Sequence, residues 1–338
     1  MKRTSKTFIK SLTFTIVIAI LVYGHQLFRE PEQTSTRIVG SSVAFPFVSY
    51  MAETISNKSQ KHSTIIETTG TGAGFKLFCQ RHHSNSQPDI VAASRRITQK
   101  EVELCKHNNI KPSEILFGYD AMLLLTSGPG ITNLTRKDLF LAMAEFVPSG
   151  NKLVKNNLKY WNEVKPLLPK IPIEIYGPPH SSGTRDEINH TIMNYACKTN
   201  RLFKEYHKQN LCSSIRRDGR YIETGDNENL TIQKLKITPS SIGILGYNFY
   251  ISNKNLRPIQ IDNVYPDFTN ISSFKYPLTR PLYLYFNQKN KKTLKDFMLE
   301  LTMHEFFTHN SDLTKIGLIP VNKDQAKELN NIILRSFK

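Results

Sequence analysis

Short apolar runs alternate along this chain with longer stretches in which apolar side chains recur every three or four positions. The two periods predict strands and helices in alternation. Strands are expected at 37–39, 63–67, 89–93, 114–117, 121–126, 173–176, 241–245 and 281–286. Helices are expected at 47–56, 74–80, 98–108, 136–143 (capped by Thr135), 185–199, 230–236, near 294–301 and at 323–335. Such alternation implies an α/β fold with a largely parallel sheet and helices on both faces. Ligands then sit beyond the carboxyl ends of the strands. Gly118-Tyr119-Asp120, between two strand-like runs, is a candidate crossing from one lobe to another, and 255–276, rich in Pro, Asn and Asp, is a candidate for the return. On this reading 37–118 and about 265–338 form one lobe, 119–264 the other, with a hinged cleft between them.

Three short polar stretches interrupt the pattern at equivalent places. Gly40-Ser41-Ser42, Thr69-Gly70-Thr71-Gly72-Ala73-Gly74 and Ser181-Ser182-Gly183-Thr184-Arg185-Asp186 each follow a strand-like run and precede a helix-like one. A strand–loop–helix turn of this kind presents unpaired backbone N–H groups and the positive end of a helix dipole. Small hydroxylated residues let an anion approach the backbone and add O–H donors. One such cluster is an ordinary turn; three of one chemical type point to an oxyanion.

Residues 1–24 carry Lys2, Arg3, Lys6 and Lys10 ahead of an uncharged apolar run at 12–22, the form of an export signal, with an uncleaved N-terminal anchor as the alternative. A polar linker is expected at 25–36. Either way the body lies outside the cytoplasm, in the periplasm. The net charge of +17 comes from scattered Lys and Arg, without a basic helix, zinc module or nucleic-acid motif, so no nucleic-acid partner is implied. Four cysteines, Cys79, Cys105, Cys197 and Cys212, are an even count in an exported chain and argue for disulfides. The local pairing Cys79–Cys105 and Cys197–Cys212 is the simplest of the three connectivities. The paired short spacings of a four-Cys zinc site are absent, and no metal or cofactor is expected.

In context, these loops resemble the phosphate-binding protein (PstS-like) of high-affinity phosphate ABC transporters. The matching pieces are Gly40-Ser41-Ser42-Val43-Ala44-Phe45-Pro46, Gly72-Ala73-Gly74-Phe75-Lys76, Asp89-Ile90-Val91-Ala92-Ala93-Ser94-Arg95, and Gly177 through Asp186. Glu223 through Asn229, Gly243-Ile244-Leu245-Gly246-Tyr247 and Tyr276-Pro277-Leu278-Thr279-Arg280-Pro281-Leu282 complete an ordered set from about residue 37 to the C-terminus. The branch with four similarly placed cysteines fits best. The resemblance implies a type II periplasmic-binding-protein fold, two lobes with two hinge crossings. It also implies no catalytic activity, and a monomer that captures inorganic phosphate and delivers it to a membrane permease. Carried over by position, Ser42 and the Ala44 N–H line the first loop, Thr71 and Gly72 the second, and Ser94 and Arg95 the end of the third strand. Ser182, Gly183 and Thr184 come from the other lobe. Departures are Val43 where many members have Thr, Ser94 where the best-known members hold a proton-accepting aspartate, and Pro178 and His180 where they hold an arginine and an aspartate. Arg95, or else Arg185, is then expected to supply the cationic contact.

Phosphate differs from sulfate at neutral pH by its proton, so discrimination needs an acceptor that sulfate would leave unpaired. Asp186 and Asp120 are candidates, with a Ser94 lone pair the weaker alternative. A secreted phosphatase or serine hydrolase is the main rival. It is disfavoured because the chain has no G-x-S-x-G elbow and no His/carboxylate cluster with metal-site spacing. A surface sensor or adhesin on the same fold is the third reading.

Overall fold

The structure, a computed structural model, describes residues 34–58, 62–80, 87–150, 152–180, 182–199, 211–225, 228–288, 291–303, 306–308 and 311–337. The expected export segment 1–24, most of the linker, Ser181, Asp226 and Asn227 lie outside the described residues. The first strand already begins at Thr34, inside the expected linker.

The chain runs β1 (Thr34–Gly40), α1 (Phe45–Lys58), β2 (His62–Glu67), α2 (Thr71–Cys79), β3 (Ile90–Ala93), α3 (Gln99–His107) and β4 (Pro112–Thr126). After α4 (Arg136–Met143) come β5 (Ile175–Gly177), α5 (Gly183–Ile188), β6 (Tyr221–Glu223), α6 (Glu228–Ile237) and β7 (Ile242–Gly246). The return is made by β8 (Thr279–Asn287), followed by α7 (Lys291–Met303) and α8 (Lys323–Phe337). Thr135 caps α4 and closes a reciprocal box with Asp138, and Thr98 does the same for α3 with Glu101.

Among the described residues the strands form a sheet ordered β2-β1-β3-β8-β4-β7-β5-β6. β1 is parallel to β2 and β3, and β5 is parallel to β6 and β7. β4 and β8, however, are antiparallel to each other, and each is antiparallel to its outer neighbour. The sheet is therefore mixed, where strand–helix alternation alone suggests a largely parallel one. Antiparallel pairing follows from the two long strands crossing between lobes in opposite directions.

The two runs at 114–117 and 121–126 are one 15-residue strand, β4. Its first part pairs with β8 and its last five residues with β7 or the short strand Arg257–Pro258. Gly118 does not break it. A Cβ there would lie 2.6 Å from Leu318 Cδ1 and 3.0 Å from the Ile319 carbonyl, so the glycine serves close packing instead of a turn.

Alternate side chains of the first-lobe strands enter two cores, as the pleat requires. Ile38, Ile90, Ala92 and Leu284 pack with Phe47, Phe297 and Ile333 on one face, while Val39, Val91, Ala93 and Tyr285 pack with Phe75 and Phe78 on the other. The second lobe has its own core around Leu123, Leu125, Trp161, Ile175 and Ile244. Ile271, Tyr276 and Leu278, placed by sequence in the first lobe, belong to this second core. The polar stretch 255–276 thus packs partly on this core before β8 begins at Thr279.

The expected helix 185–199 is interrupted. A π-turn at Asn189–Met193 separates α5 from the helix Asn194–Thr199, and the β-branched Thr191 hydroxyl donates to the Glu187 carbonyl, 2.8 Å away. Disulfides join Cys79 at the end of α2 to Cys105 in α3, and Cys197 to Cys212. They close loops of 26 and 15 residues, one within each lobe. Replacing Cys79 and Cys105 together by Ser should lower the unfolding free energy by about 3 kcal/mol, the loop-closure entropy restored to the unfolded chain. Urea unfolding of the oxidised parent and the double variant measures this; equal midpoints would show that the cross-link adds nothing.

Candidate binding site in the cleft

The loops are shaped by close backbone approach. Gly40 ends β1 at φ +136°, and a Cβ there would lie 2.0 Å from the Ala92 carbonyl oxygen; a Cβ on Gly74 would meet Gly40 Cα at 2.9 Å. The Ser41 N–H donates to the Ala92 carbonyl and the Gly70 N–H to the Gly40 carbonyl, each at 2.8 Å. These bonds set the ends of β1, β2 and β3 side by side. From the other lobe, Ser182 caps α5 by accepting the Thr184 N–H at 3.2 Å. A Cβ on Gly183 would come within 3.0 Å of Ser42 Oγ, so the first and last loops touch across the cleft.

Between them lies a cavity of about 480 Å³. Ser42, Val43, Pro46, Phe47 and Thr68 through Gly70 line it from the first lobe. Ser182, Gly183, Thr184, Asp186, Glu228, Gly246, Asn248 and Phe249 line it from the second. Its floor is the crossing itself, Asp120 of β4 and Arg280 of β8. These two are register partners, and Arg280 Nη2 donates to Asp120 Oδ2 at 2.5 Å with the side chains only 2% and 4% exposed. Arg280 Nε and Nη1 and Asp120 Oδ1 are buried without any hydrogen-bond partner. Buried polar groups are nearly always satisfied, so this set is unmet bonding capacity beside the cavity.

Of the ten residues expected at the site, Ser42, Ser182, Gly183 and Thr184 line this cavity. Ala44 is wholly buried in the first-lobe core, and Thr71 and Ser94 face one another with hydroxyls 3.2 Å apart. Gly72 lies against Arg95 instead of the cavity. Arg95 is not among the cavity-lining residues: its two terminal nitrogens donate to Glu101 at 2.9 and 2.8 Å, in the capping box of α3. Arg185 lies over the Tyr221 ring, its Nη1 donating to Glu223 and to the Pro178 carbonyl, and lines a separate cavity of about 690 Å³ with His180 and Arg216. Neither expected cation reaches the cleft cavity. Arg280 does, although sequence reading passed over it. Its signal was an arginine in the otherwise apolar run Pro281-Leu282-Tyr283-Leu284.

Glu228, at the start of α6, was also missed. Its Oε2 accepts the Gly246 N–H at 2.9 Å. Burial pushes its carboxyl up to about 7, against the opposing pull of that N–H and of Arg280. Burial likewise raises the carboxyl of Glu187, which feels Arg280 and Asp120 as well.

A family model described as a PBP superfamily domain matches residues 29–305. The chain belongs to the PBP superfamily. The protein SphX of Synechocystis is 28% identical over 317 residues, covering 89% of this chain and 83% of SphX. The phosphate-binding protein PstS of Staphylococcus saprophyticus is 25% identical over 266 residues, 76% of this chain and 72% of that one. A crystal structure of a possible phosphate binding protein from Planctomyces limnophilus superposes with a TM-score of 0.65 at 24% identity, covering 90% of this chain and 99% of that one. It shares the two-lobed fold.

The raised carboxyl of Glu228 carries a pH signature. A group with a higher pKa in the folded state favours folding below its unfolded value of 4.5, and that contribution is lost as pH rises through about 7. Glu228→Gln should therefore match the parent in stability near pH 4.5 and exceed it by at most about 3 kcal/mol at pH 8. Chemical denaturation across this range checks it; a constant difference would place the Glu228 titration elsewhere.

Proposed function

We propose that this chain is the extracytoplasmic solute-binding protein of an ABC transporter, which captures inorganic phosphate in the interlobe cleft and hands it to the membrane permease without chemical change. The observation that carries this reading is the buried Arg280, which lines a cavity flanked by helix-start loops and has two N–H groups without a partner in the protein. Membership of the PBP superfamily and the phosphate-binding names of several relatives support it. The basic-then-apolar residues 1–24 fit export or anchoring on the outer side of the membrane.

In this reading Arg280 donates from Nε and Nη1 to two phosphate oxygens. The Ser42 and Thr184 hydroxyls and the N–H groups at the start of α5 take the others. Charge-assisted hydrogen bonds each contribute about 1.5–3 kcal/mol, enough in combination for micromolar binding after ordering costs. Asp120 Oδ1, unpaired and buried, accepts the phosphate O–H. A sulfate dianion at neutral pH has no proton to offer and would leave that oxygen facing another negative charge. The lobes approach from either side, and delivery requires them to part again at the β4–β8 crossing.

Titration calorimetry of the exported portion with phosphate tests the function. Absence of heat and of any thermal shift in millimolar phosphate would overturn it, and steady release of product from a phosphoester would favour the hydrolase. For the roles of the residues, Arg280→Lys keeps the charge but loses the planar fork, and should weaken phosphate binding by about 2–3 kcal/mol. Thr184→Val should cost about 1–2 kcal/mol, and Arg95→Ala less than about 0.5 kcal/mol. A large loss in Arg95→Ala with none in Arg280→Lys would return the cationic role to the first lobe.

A further inference from the structure

The cleft cavity is charged the wrong way for its cargo. Its titratable lining is Asp120, Asp186, Glu228 and Arg280, three carboxyls to one guanidinium, a net charge of −2 if all ionise. A multiply charged oxyanion entering such a space meets more like charge than opposite charge, in a medium where charges are poorly screened. Two of the carboxylates have a counter-charge. Asp120 is bonded to Arg280 within the sheet, and Asp186 feels the field of Arg95 from the facing lobe. Glu228 has no ion-pair partner of its own among the described residues. One oxygen accepts the Gly246 N–H, and the nearest charges acting on it are the Arg280 guanidinium and the Asp120 carboxylate, which oppose one another. Arg280 is in turn shared with Asp120 and with Glu187 behind it.

Resting on the phosphate-binding reading above, we propose that Glu228 takes up a proton as the anion enters, so that the protein captures phosphate together with one proton. The proton comes from solvent, attaches to a carboxylate oxygen of Glu228, and leaves one fewer negative charge in the occupied cavity. The carboxyl becomes an O–H donor that turns toward an anion oxygen, while its other oxygen keeps the Gly246 N–H. Its position, already raised by burial to about 7 in the empty cleft, makes it the carboxyl that yields first when negative charge arrives. Binding and protonation are then linked, and each strengthens the other. Phosphate affinity falls as pH rises above about 7, and the site releases anion and proton together.

The test is calorimetry of the exported protein with inorganic phosphate at pH 8, in buffers of different ionisation enthalpy, which counts protons taken up per phosphate bound. The parent should take up close to one. Glu228→Gln keeps the shape and the acceptor for Gly246, and supplies an N–H donor that needs no proton. It should take up none, bind phosphate about tenfold more tightly than the parent at pH 8, and about equally at pH 6; the tenfold is the one-unit gap between pH 8 and a carboxyl near 7. Glu187→Gln, which lies outside the cavity lining, should keep the uptake. Binding by the parent without proton uptake would overturn the proposal and needs no variant to fold. Uptake that persists in Glu228→Gln would overturn it too, by moving the proton to the phosphate or to Asp120. If the parent binds no phosphate at any pH, it is the phosphate-binding reading that fails.

Discussion

The pair Asp120–Arg280 is the constraint around which the rest of the molecule is arranged. Two opposite charges are held almost without water on neighbouring central strands, at the residue pair where the sheet passes from one lobe to the other. Removing such charges from water costs several kcal/mol each, and one hydrogen bond between them does not return it. A guanidinium has five N–H donors in a fixed plane, and the carboxylate occupies only one side of it. Two of the remaining donors, Nε and Nη1, are buried without a partner, a cost carried at the edge of the cavity that Arg280 lines.

Much of this was legible in the sequence. Period-2 and period-3.6 runs located the strands and helices of both lobes, because each side of the first-lobe sheet buries an alternate set of side chains. The Ser/Thr/Gly stretches marked strand ends where backbones approach too closely for a Cβ, as at Gly40 and Gly74. What could not be read was the destination of the arginines. Arg95 follows a strand end, where a cleft ligand is plausible, but Thr98-x-x-Glu101 is a capping box whose carboxylate is within its reach. Local sequence could have disclosed that competitor. Arg280 is the reverse case. Its partner lies 160 positions away, and no pattern along the chain joins them. Glu228 escaped for a similar reason, since its carboxyl reads as an ordinary first-turn acid until the cleft closes over it.

The same contrast applies to the segment before β8. Composition suggested that a Pro- and Asn-rich segment leaves the second lobe, yet Ile271, Tyr276 and Leu278 bury themselves there. Polar linkers and polar surface loops look alike in one dimension. What separates them is a few anchoring apolar residues whose contacts are set by the whole fold.

β4 gives the joint between the lobes a mechanical character. Since one unbroken strand is hydrogen-bonded to β8 along one part and to β7 along the next, the lobes are not hung on a slack tether. Relative motion must be stored as twist and bend of paired backbone, in the manner of a leaf spring with a preferred rest angle. Few conformations are then lost when the jaws meet, so little entropy opposes closure. The stiffness of that spring limits how far the jaws open.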